Sequence, residues 1–354
     1  MVTFIFVLIS ISILILAHEW GHFYSARKLG VKVEEFGFGF PPRIFSKIKS
    51  GVRYSLNLFP FGGFVKIFGE HGEGEMSAES FASRPVWQRF LILAAGVGMN
   101  LVLAWALFSV SAGVGVPYVI ESEGSSASVS VLSVAPGSPA EESGIKFGDR
   151  ILRLSEGGDS VSVRSEGDVS DFVRTHKGKT ALLLAERGNA EMEFRVFIRE
   201  EPPEGEGAMG ISMGRLGIKK APWYLAPFEG VRTLGRGIAA TLYGFWYLIS
   251  ELFQGRTAVP VSGPVGIFVF ANDIRPLGIA FFLHFMGILS VNLAILNFLP
   301  IPALDGWRVL FLLIEKIRGR RIDAHLENYT HIVGFFVLIA LMILVTYRDI
   351  RVFF

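Results

Sequence analysis

A long apolar run that ends in imidazole and carboxylate side chains is the feature that most constrains this chain. Residues 2–17 carry no charge and are rich in Ile, Leu, Val and Phe, and His18, Glu19 and His22 follow directly. About 20 apolar residues are enough for a helix to cross a bilayer. The run therefore predicts a transmembrane helix from about Phe4 to Tyr24, with titratable side chains near its end.

The spacing of these side chains is that of a metal site. On a helix, His18 and His22 are four residues apart and share one face, so two imidazole nitrogens can bind one metal ion. Glu19 then lies beside the metal, where it can take a proton from a metal-bound water, an arrangement typical of zinc proteases. The alternative is that both histidines only cap the interfacial end of an anchor helix. The high cost of such residues in a membrane span favours a functional site.

The composition agrees with a membrane protein. The chain has 354 residues, a mean hydropathy of +0.47 and 51% apolar residues, which is too apolar for an ordinary soluble protein. A net charge of +2 without a basic run indicates no nucleic-acid partner. The absence of Cys excludes thiolate ligands, so His, Asp, Glu or Asn must hold any metal. No Lys or Arg precedes the first apolar run and no cleavage site stands out, which predicts a retained span.

Three further spans are predicted. They run from about Phe90 to Val110, from near Leu277 past Leu299, and from about Ile332 to Val345. Lys and Arg residues are frequent between the first two spans, so the positive-inside rule places that loop in the cytoplasm. The histidine pair is then expected towards the cytoplasmic side, with the polar stretch after the second span on the opposite side.

The third span breaks at two prolines that are two residues apart, Pro300 and Pro302. A regular helix cannot continue there, and irregular backbone at membrane depth is tolerated where it lines a protein cavity. Asp305 follows the break and is a natural third ligand, since a carboxylate completes a His-His-Asp set and leaves a fourth position for water. Alternatively, Asp305 only caps the helix predicted over 307–317.

The segments outside the spans differ in character. Residues 31–69 alternate as strands do, and a Pro/Gly turn in Phe59–Val65 joins two strand-like pieces. This predicts an interfacial sheet whose edge either pairs with an extended peptide or closes an ordinary hairpin. Residues 117–200 are polar and predict a small mixed α/β module, followed by a linker over 200–217. The apolar, aromatic stretch 223–253 predicts an amphipathic helix on the membrane.

Taken together, these motifs resemble those of the site-two protease family of intramembrane zinc metalloproteases, over nearly the whole chain. Three stretches resemble the family's intramembrane motifs: His18-Glu19-Trp20-Gly21-His22, Gly96-x-x-x-Asn100 and Asn297-Phe-Leu-Pro300-Ile-Pro302-Ala-Leu-Asp305-Gly306. Three others are similar to its β-loop, its PDZ module and its segment before the third span: Phe61-Gly62-Gly63-Phe64-Val65, Pro136–Glu141 with Gly148-Asp149, and Val261–Ile267. The branch that it resembles is the regulator of sigma-E protease type, with a single PDZ module. Trp307 stands where a second Gly is usual in the family.

The resemblance implies a catalytic site and a substrate class. It implies Zn²⁺ held by His18, His22 and Asp305, with Glu19 as the catalytic base. Asn292 and Asn297 are implied to position the substrate, and Asn100, Phe61, Gly62 and Gly63 are further candidates for that role. The implied reaction is hydrolysis within transmembrane segments of single-pass membrane proteins, such as anti-sigma factors, in regulated intramembrane proteolysis during a stress response. The implied location is the bacterial cytoplasmic (inner) membrane, with the lipid bilayer and a peptide ligand of the PDZ domain as further partners.

The predicted fold is a polytopic α-helical membrane protein of about four spans with a membrane-associated β-loop and a soluble mixed α/β PDZ domain. Its predicted parts are the first transmembrane helix (1–28), a cytoplasmic-side β-region (29–86), the second span (87–115), an extracytoplasmic PDZ domain (116–200), a linker with amphipathic helices (201–275), the third span (276–319), and the fourth span with the tail (320–354). The main alternative is a non-catalytic, PDZ-bearing membrane scaffold with a structural metal site, against which the intact Glu19 argues. A transporter is disfavoured, because the chain has no inverted repeats.

Overall fold

The computed structural model describes residues 2–70, 77–120, 128–188, 190–203, 205–254, 263–274 and 277–353. The chain divides into two compact units. The first unit comprises Met1–Ser109, Pro227–Val269 and Phe285–Phe354, and the second comprises Val110–Ala226 and Phe270–His284. Residues 261–262, in the segment that is predicted before the third span, lie outside the described residues.

The chain has eighteen helices and strands within its described residues. They are α1 (Val2–Lys28), β1 (Val33–Lys49), β2 (Val52–Ile67), α2 (Val86–Val114), β3 (Val116–Ile120), β4 (Ser128–Val134), α3 (Pro139–Glu142), β5 (Arg150–Glu156), β6 (Asp159–Ser162), α4 (Glu166–Thr175), β7 (Thr180–Arg187), β8 (Ala190–Phe197), β9 (Ile211–Lys219), α5 (Ala226–Phe253), α6 (Pro264–Ile274), α7 (Ile279–Phe298), α8 (Asp305–Arg318) and α9 (Ala324–Phe353).

Four helices within the described residues are long and apolar enough to cross a membrane. They are Ile5–Lys28, Val86–Val114, Ile279–Phe298 and Leu326–Arg351. The four predicted spans are confirmed. The first, second and fourth helices extend a few residues beyond the predicted bounds, whereas the third begins at Ile279 and ends at Phe298, within them. The chain is therefore a multi-pass membrane protein.

A glycine ends the first of these helices. Gly30 has a φ of +73°, a left-handed conformation that glycine adopts without a Cβ clash. The N–H of Val31 then donates to the carbonyl of Ala26, which satisfies a carbonyl at the helix end. The chain leaves the helix directly into β1, so the β-region starts close to the end of α1.

The strands β1 and β2 are longer than the alternating pattern predicted. They pair antiparallel over most of their length, and Phe36 of β1 has partners on two sides, Tyr54 and Val65. The Pro/Gly stretch Phe59–Val65, predicted as a turn between strands, lies within β2. Apolar residues of this sheet pack with the end of α1, in a cluster that includes Phe23, Ala26, Val33, Val52 and Ile67. This packing places the second half of β2 alongside the histidine motif.

The second unit contains a seven-stranded antiparallel sheet. Its strand order is β3-β9-β4-β5-β7-β8, with β6 paired to β5. Val131, Leu154, Leu183 and Val196 are fully buried at its centre. A buried ion pair joins Asp149 to Arg187 of β7, with N–O distances of 2.6 and 2.7 Å. The soluble-looking sheet region predicted after the second span is present, and its core is apolar and closed.

The sheet extends beyond the boundary predicted at residue 200. The stretch 200–217 was predicted as a linker, yet β9 (Ile211–Lys219) pairs with both β3 and β4. Its sequence, Ile-Ser-Met-Gly-Arg-Leu-Gly-Ile-Lys, contains two glycines that weaken the strand pattern. The partner strands β3 and β4 lie far from β9 in the sequence, so the local sequence pattern could not predict this pairing.

The apolar, aromatic stretch after the second unit forms one long helix, as predicted. One face of α5 packs in the first unit through Leu234 and Ile238, which contact the cluster of Phe108 and Val291. The other face exposes large side chains, among them Phe228, Tyr243 and Trp246. The helix is not among the four that meet the length and composition criteria for a span. Its position on a membrane surface stays a prediction.

Candidate metal centre

Three side chains from two distant parts of the sequence converge in the first unit. His18 Nε2 lies 2.8 Å from Asp305 Oδ2, His22 Nε2 lies 3.2 Å from the same oxygen, and the two Nε2 atoms are 3.1 Å apart. Among the described residues, these three form the group of His, Asp and Glu side chains whose ligand atoms are close enough to share a metal ion. Both histidines are buried.

The break after α7 brings the carboxylate to the histidines. The chain leaves the helix after Phe298 and starts α8 at Asp305, with Leu304 in the N-cap position. Ala303 has a φ of +76°, an unusual conformation for a residue with a Cβ. The carboxylate of Asp305 lies against the histidines, and no side chain caps the start of α8 by a hydrogen bond. The structure thus favours the ligand interpretation of Asp305 over the capping interpretation.

Two glycines, Gly96 of α2 and Gly306 of α8, allow close packing around the three side chains. A Cβ on Gly96 would lie 2.3 Å from His22 Nε2 and 2.7 Å from His18 Cε1. A Cβ on Gly306 would lie 2.2 Å from the carbonyl oxygen of Leu299. Real Cβ atoms do not come this close to other heavy atoms, so both positions require glycine. The glycine of α2 therefore makes room for the imidazoles themselves.

The orientation of His22 is set by a backbone carbonyl. Its Nδ1 lies 2.9 Å from the carbonyl oxygen of Ile92 in α2. Since a carbonyl can only accept, this contact places the imidazole proton on Nδ1 and leaves the lone pair of Nε2 for a metal. Sequence reasoning did not identify Ile92, because a backbone acceptor has no residue-type signature.

The side chain of Glu19 is held by the β-region. Its Oε2 accepts a hydrogen bond of 3.0 Å from the N–H of Val65 in β2. Gly62 and Gly63 lie in the same strand, and a Cβ on Gly63 would lie 2.8 Å from Leu16 of α1 and 2.9 Å from the carbonyl oxygen of Gly37. The glycines of the predicted β-loop therefore allow β2 to pack against α1 beside the metal ligands. The side chain of Phe61 lies outside the described part of the structure.

A cavity of about 200 Å³ opens at these residues. Its lining residues are Ile15, His18, Glu19, Leu293, Asn297, Ala303, Leu304 and Asp305. The predicted base Glu19 and two of the predicted ligands, His18 and Asp305, therefore face it. Four of the eight lining residues are apolar and four are polar or charged.

The three predicted asparagines lie in different surroundings. Asn297 lines the cavity, with Nδ2 3.4 Å from His18 Nε2. Asn100 is fully buried, with Nδ2 3.5 Å from His18 Nδ1. Asn292 is not among the cavity residues, and its Oδ1 accepts a 2.7 Å hydrogen bond from Thr241 of α5. Of the three, Asn297 lies where it could contact a substrate, and the roles predicted for the other two stay predictions.

Trp307 has a defined place beside the metal site. Its indole N–H donates to Thr330 Oγ1 of α9 at 3.0 Å, and its ring packs edge-on against Phe311. A Cβ on Gly334 of α9 would lie 2.2 Å from Pro302, so α9 packs directly on the broken segment. The bulky residue that departs from the family pattern thus fixes α8 to α9 and leaves Asp305 in place.

The donor set suits zinc. Tetrahedral zinc with bonds of about 2.0 to 2.2 Å would hold its ligand atoms about 3.3 to 3.6 Å apart. The three distances of 2.8, 3.1 and 3.2 Å are shorter than this, so the three side chains would spread slightly to hold the ion. Two imidazole nitrogens and one carboxylate oxygen, with a carboxylic side chain nearby and an open cavity, are the parts of a hydrolytic zinc site. The fold and site together define a membrane-embedded zinc metalloprotease.

Comparisons with known proteins identify the family. The model of peptidase family M50 matches residues 6–341, and the chain belongs to this family. A Clostridium perfringens protein provisionally named a zinc metalloprotease is 35% identical, over 98% of both chains. Zinc metalloprotease RasP of Oceanobacillus iheyensis is 28% identical over 99% of both chains, and RasP of Geobacillus kaustophilus is 26% identical over 96% of both. The predicted activity and the predicted zinc cofactor are confirmed at this level.

Proposed function

We propose that this protein is an intramembrane protease that hydrolyses peptide bonds within the transmembrane segments of single-pass membrane proteins. The observation that carries the proposal is the position of the site. His18, Glu19 and His22 lie on a helix long and apolar enough to span a membrane, and a cavity opens beside His18 and Glu19 on that helix. We assign His18, His22 and Asp305 as the zinc ligands and Glu19 as the catalytic base.

The chemistry follows from the neighbouring groups. When bound, zinc supplies a Lewis acid that activates water and polarises a peptide carbonyl. Glu19 accepts the proton of the attacking water and passes it to the leaving amine. Its hydrogen bond from Val65 fixes one carboxylate oxygen and leaves the other for this transfer. Asn297, at the cavity wall, donates its amide hydrogens to the substrate carbonyl.

The β-region presents the substrate. A peptide bond in a transmembrane helix is shielded by the helix's own hydrogen bonds, so the substrate must unwind locally before it reacts. Residues 59–65 of β2 hold the unwound segment extended by strand pairing. The packing of Gly62 and Gly63 against α1 supports this role, because it keeps that part of the strand within reach of Glu19. Asn292 and Phe61 are assigned to the wider substrate path.

The remaining assignments concern the biological setting. Residues 116–200 are proposed as the main part of a PDZ domain that binds a peptide outside the cytoplasm, with residues 201–275 leading back to the membrane. The basic residues of 29–86 and 316–321 support a cytoplasmic side for the active site in the bacterial inner membrane. The proposed substrates are anti-sigma-like proteins, cleaved after a first protease has shortened their outer part, in a stress response.

A metal site that serves only structure is the rival assignment. In that case the protein is a PDZ-bearing scaffold, and Glu19 has no chemical task. A structural zinc site is closed by four protein ligands, whereas a catalytic site has three and keeps one position open. Three ligand residues and a cavity beside them favour catalysis.

The test is cleavage of a tagged single-span anti-sigma-like protein by native protein and by Glu19→Gln in membranes. We expect cleavage by the native protein, loss of at least about a hundredfold in the variant, and equal zinc content in both. Substrates trimmed to several outer lengths allow for the first cleavage. Zinc-loaded native protein that cleaves none of them would favour the scaffold, and cleavage by Glu19→Gln at the native rate would exclude Glu19 as the base.

A further inference from the structure

Asn100 is buried against a metal ligand and has an unused hydrogen-bonding atom. The residue is 0% exposed, and its Oδ1 has no hydrogen-bond partner among the described residues. Its Nδ2 lies 3.5 Å from Nδ1 of His18, the imidazole nitrogen that faces away from the proposed metal position. A buried amide oxygen without a partner is costly, so such an atom calls for a specific explanation.

The backbone of Asn100 is fixed where it stands. Ser290 of α7, itself fully buried, donates to the carbonyl oxygen of Asn100 at 2.8 Å. Asn100 lies one turn after Gly96, whose missing side chain makes room for the imidazoles on the same side of α2. The backbone therefore holds Asn100 on the side of α2 that faces the imidazoles, and the residue does not line the cavity where a substrate would lie.

The proton on His18 decides which end of the carboxamide must face it. A histidine that binds a metal through Nε2 carries its proton on Nδ1, and that N–H needs an acceptor. The two ends of a carboxamide occupy nearly equal volumes, and a half-turn about the Cβ–Cγ bond exchanges them. The half-turn brings Oδ1 to the position 3.5 Å from Nδ1 that Nδ2 takes here.

We infer that Asn100 is a positioning residue for the metal site, whose carboxamide oxygen accepts the Nδ1–H of His18 and fixes the orientation of that ligand. The inference rests on the proposed zinc set of His18, His22 and Asp305. It completes a symmetrical arrangement, since the Nδ1–H of His22 already has the carbonyl oxygen of Ile92 at 2.9 Å. One ligand is oriented by a backbone acceptor of α2 and the other by a side chain of the same helix.

The test measures zinc affinity in the detergent-solubilised full chain, by competition with a chromogenic chelator. Asn100→Leu has nearly the same size and no acceptor, and we expect a 10- to 100-fold loss of zinc affinity. Asn100→Asp keeps an acceptor, and we expect affinity within a few-fold of native. Ser109→Ala, on the same helix, removes a hydroxyl that donates to the carbonyl of Trp105 four residues earlier, and serves as the matched control.

Two further readouts separate positioning from packing. The absorption spectrum of the cobalt-substituted protein reports ligand geometry, and we expect it to change in Asn100→Leu and to stay native-like in Asn100→Asp. Thermal unfolding in excess chelator shows whether a variant folds, and Asn100→Ala replaces the leucine variant if that one does not. Equal zinc affinity in the Leu, Ala and native proteins would overturn the inference, as would equal losses in Leu and Asp variants.

Two parallel variants distinguish failure of this inference from failure of the proposed ligand set. Asp305→Asn and His22→Ala each remove a proposed ligand, and both are expected to lower zinc affinity more than Asn100→Leu does. Native zinc affinity in both ligand variants would show that zinc binds elsewhere, and it would overturn the proposed ligand set together with the role of Asn100. Weak binding in the ligand variants but native binding in Asn100→Leu would overturn only the role of Asn100.

Discussion

At the scale of single residues, the metal centre depends on a glycine without a side chain as much as on its ligands. Gly96 and Gly98 lie on the same helix two residues apart, yet a Cβ on Gly96 would meet both imidazoles, whereas a Cβ on Gly98 would have no described atom within 4 Å. This contrast makes Gly98 a matched control for the steric requirement at Gly96.

We predict that Gly96→Ala lowers zinc affinity at least about tenfold, because His18 and His22 must turn away from the added methyl group. Gly98→Ala is expected to keep native zinc affinity and, as an alanine in a helix, to stabilise the protein by about 0.5 to 1 kcal/mol. Chelator competition and thermal unfolding measure the two effects. Native zinc affinity in Gly96→Ala would contradict the placement of α2 against the imidazoles.

Ala303 is the second residue whose backbone matters for the site. Its φ of +76° is strained for any residue with a Cβ and most of all for a β-branched one. We predict that Ala303→Gly keeps zinc affinity and that Ala303→Val lowers it, because valine would push the chain before Asp305 out of this conformation. Zinc titration of the two variants measures the difference, and equal affinities would show that the turn does not position Asp305.

At the scale of elements, strand β2 and helix α1 together position the proposed base. The N–H of Val65 reaches Glu19 from a strand 46 residues away, so the strand proposed to hold the substrate also orients the proposed base. A substitution that removes this N–H should therefore affect catalysis and leave the metal ligands intact.

We predict that Val65→Pro reduces cleavage of a single-span substrate at least about tenfold while zinc content stays native, because proline has no N–H to donate. Ile48→Pro, in the hairpin of residues 43–57 away from Glu19, is the control for general disruption of a strand. Cleavage by Val65→Pro at the rate of the control would contradict both the orientation of Glu19 and strand pairing with the substrate.

The stability of helix α4 in the second unit is expected to depend on pH. Ser165 and Asp168 form a capping box, and the backbone N–H groups of Arg164 and Ser165 hold the pKa of Asp168 below its ordinary value. A lowered folded-state pKa stabilises the helix above the unfolded pKa of about 3.9, and this stabilisation is lost as the pH falls through the folded value.

We predict that hydrogen-exchange protection factors of the α4 amides are constant from about pH 7 to 5 and fall below about pH 4. Asp168→Asn is expected to remove this pH step, and Ser165→Ala to lower the protection by about 1 kcal/mol at neutral pH. An unchanged pH step in Asp168→Asn would assign it to another group.

At the scale of the whole molecule, buried ion pairs join elements of the first unit that are far apart in sequence. Arg89 of α2 makes two hydrogen bonds to Glu315 of α8, at 3.0 and 2.5 Å, and both side chains are largely buried. Arg308 of the same helix pairs with Glu70. The two pairs fix α8, the helix that begins with Asp305, against the rest of the unit.

We predict that Glu315→Met alone destabilises the protein by about 3 to 5 kcal/mol, because it leaves the buried charge of Arg89 without its carboxylate partner. Arg89→Met is expected to cost less, because Arg321 Nε still lies 3.9 Å from Glu315 Oε1. The double variant is expected to cost much less than the sum of the two. The pair Arg174–Asp171 is exposed and its removal should change stability by less than about 1 kcal/mol. Unfolding of the detergent-solubilised protein in denaturant measures the cycle, and additive losses would show that Arg89 and Glu315 are not coupled.

Local pattern predicted much of this protein. The four spans followed from apolar runs, because crossing a bilayer needs a fixed length of helix whatever surrounds it. The pair His18 and His22 followed from helical spacing. Asp305 followed from the two prolines before it, because they free the chain from the helix at membrane depth. In the second unit, the polar stretch 117–200, predicted to form a small mixed α/β module, contains β4, β5, β7, β8 and α4.

Other features were decided only by the tertiary structure. The contacts of Glu19 with Val65, of His22 with Ile92 and of His18 with Asp305 span 46, 70 and 287 residues. The strand β9 owes its conformation to β3 and β4 and not to its own glycine-containing sequence. Spacing along the chain determines which side chains share a face of one element. Packing determines which backbone groups of other elements contact those side chains. Every residue has a backbone carbonyl and nearly every residue an N–H, so the sequence does not indicate which of them will be used.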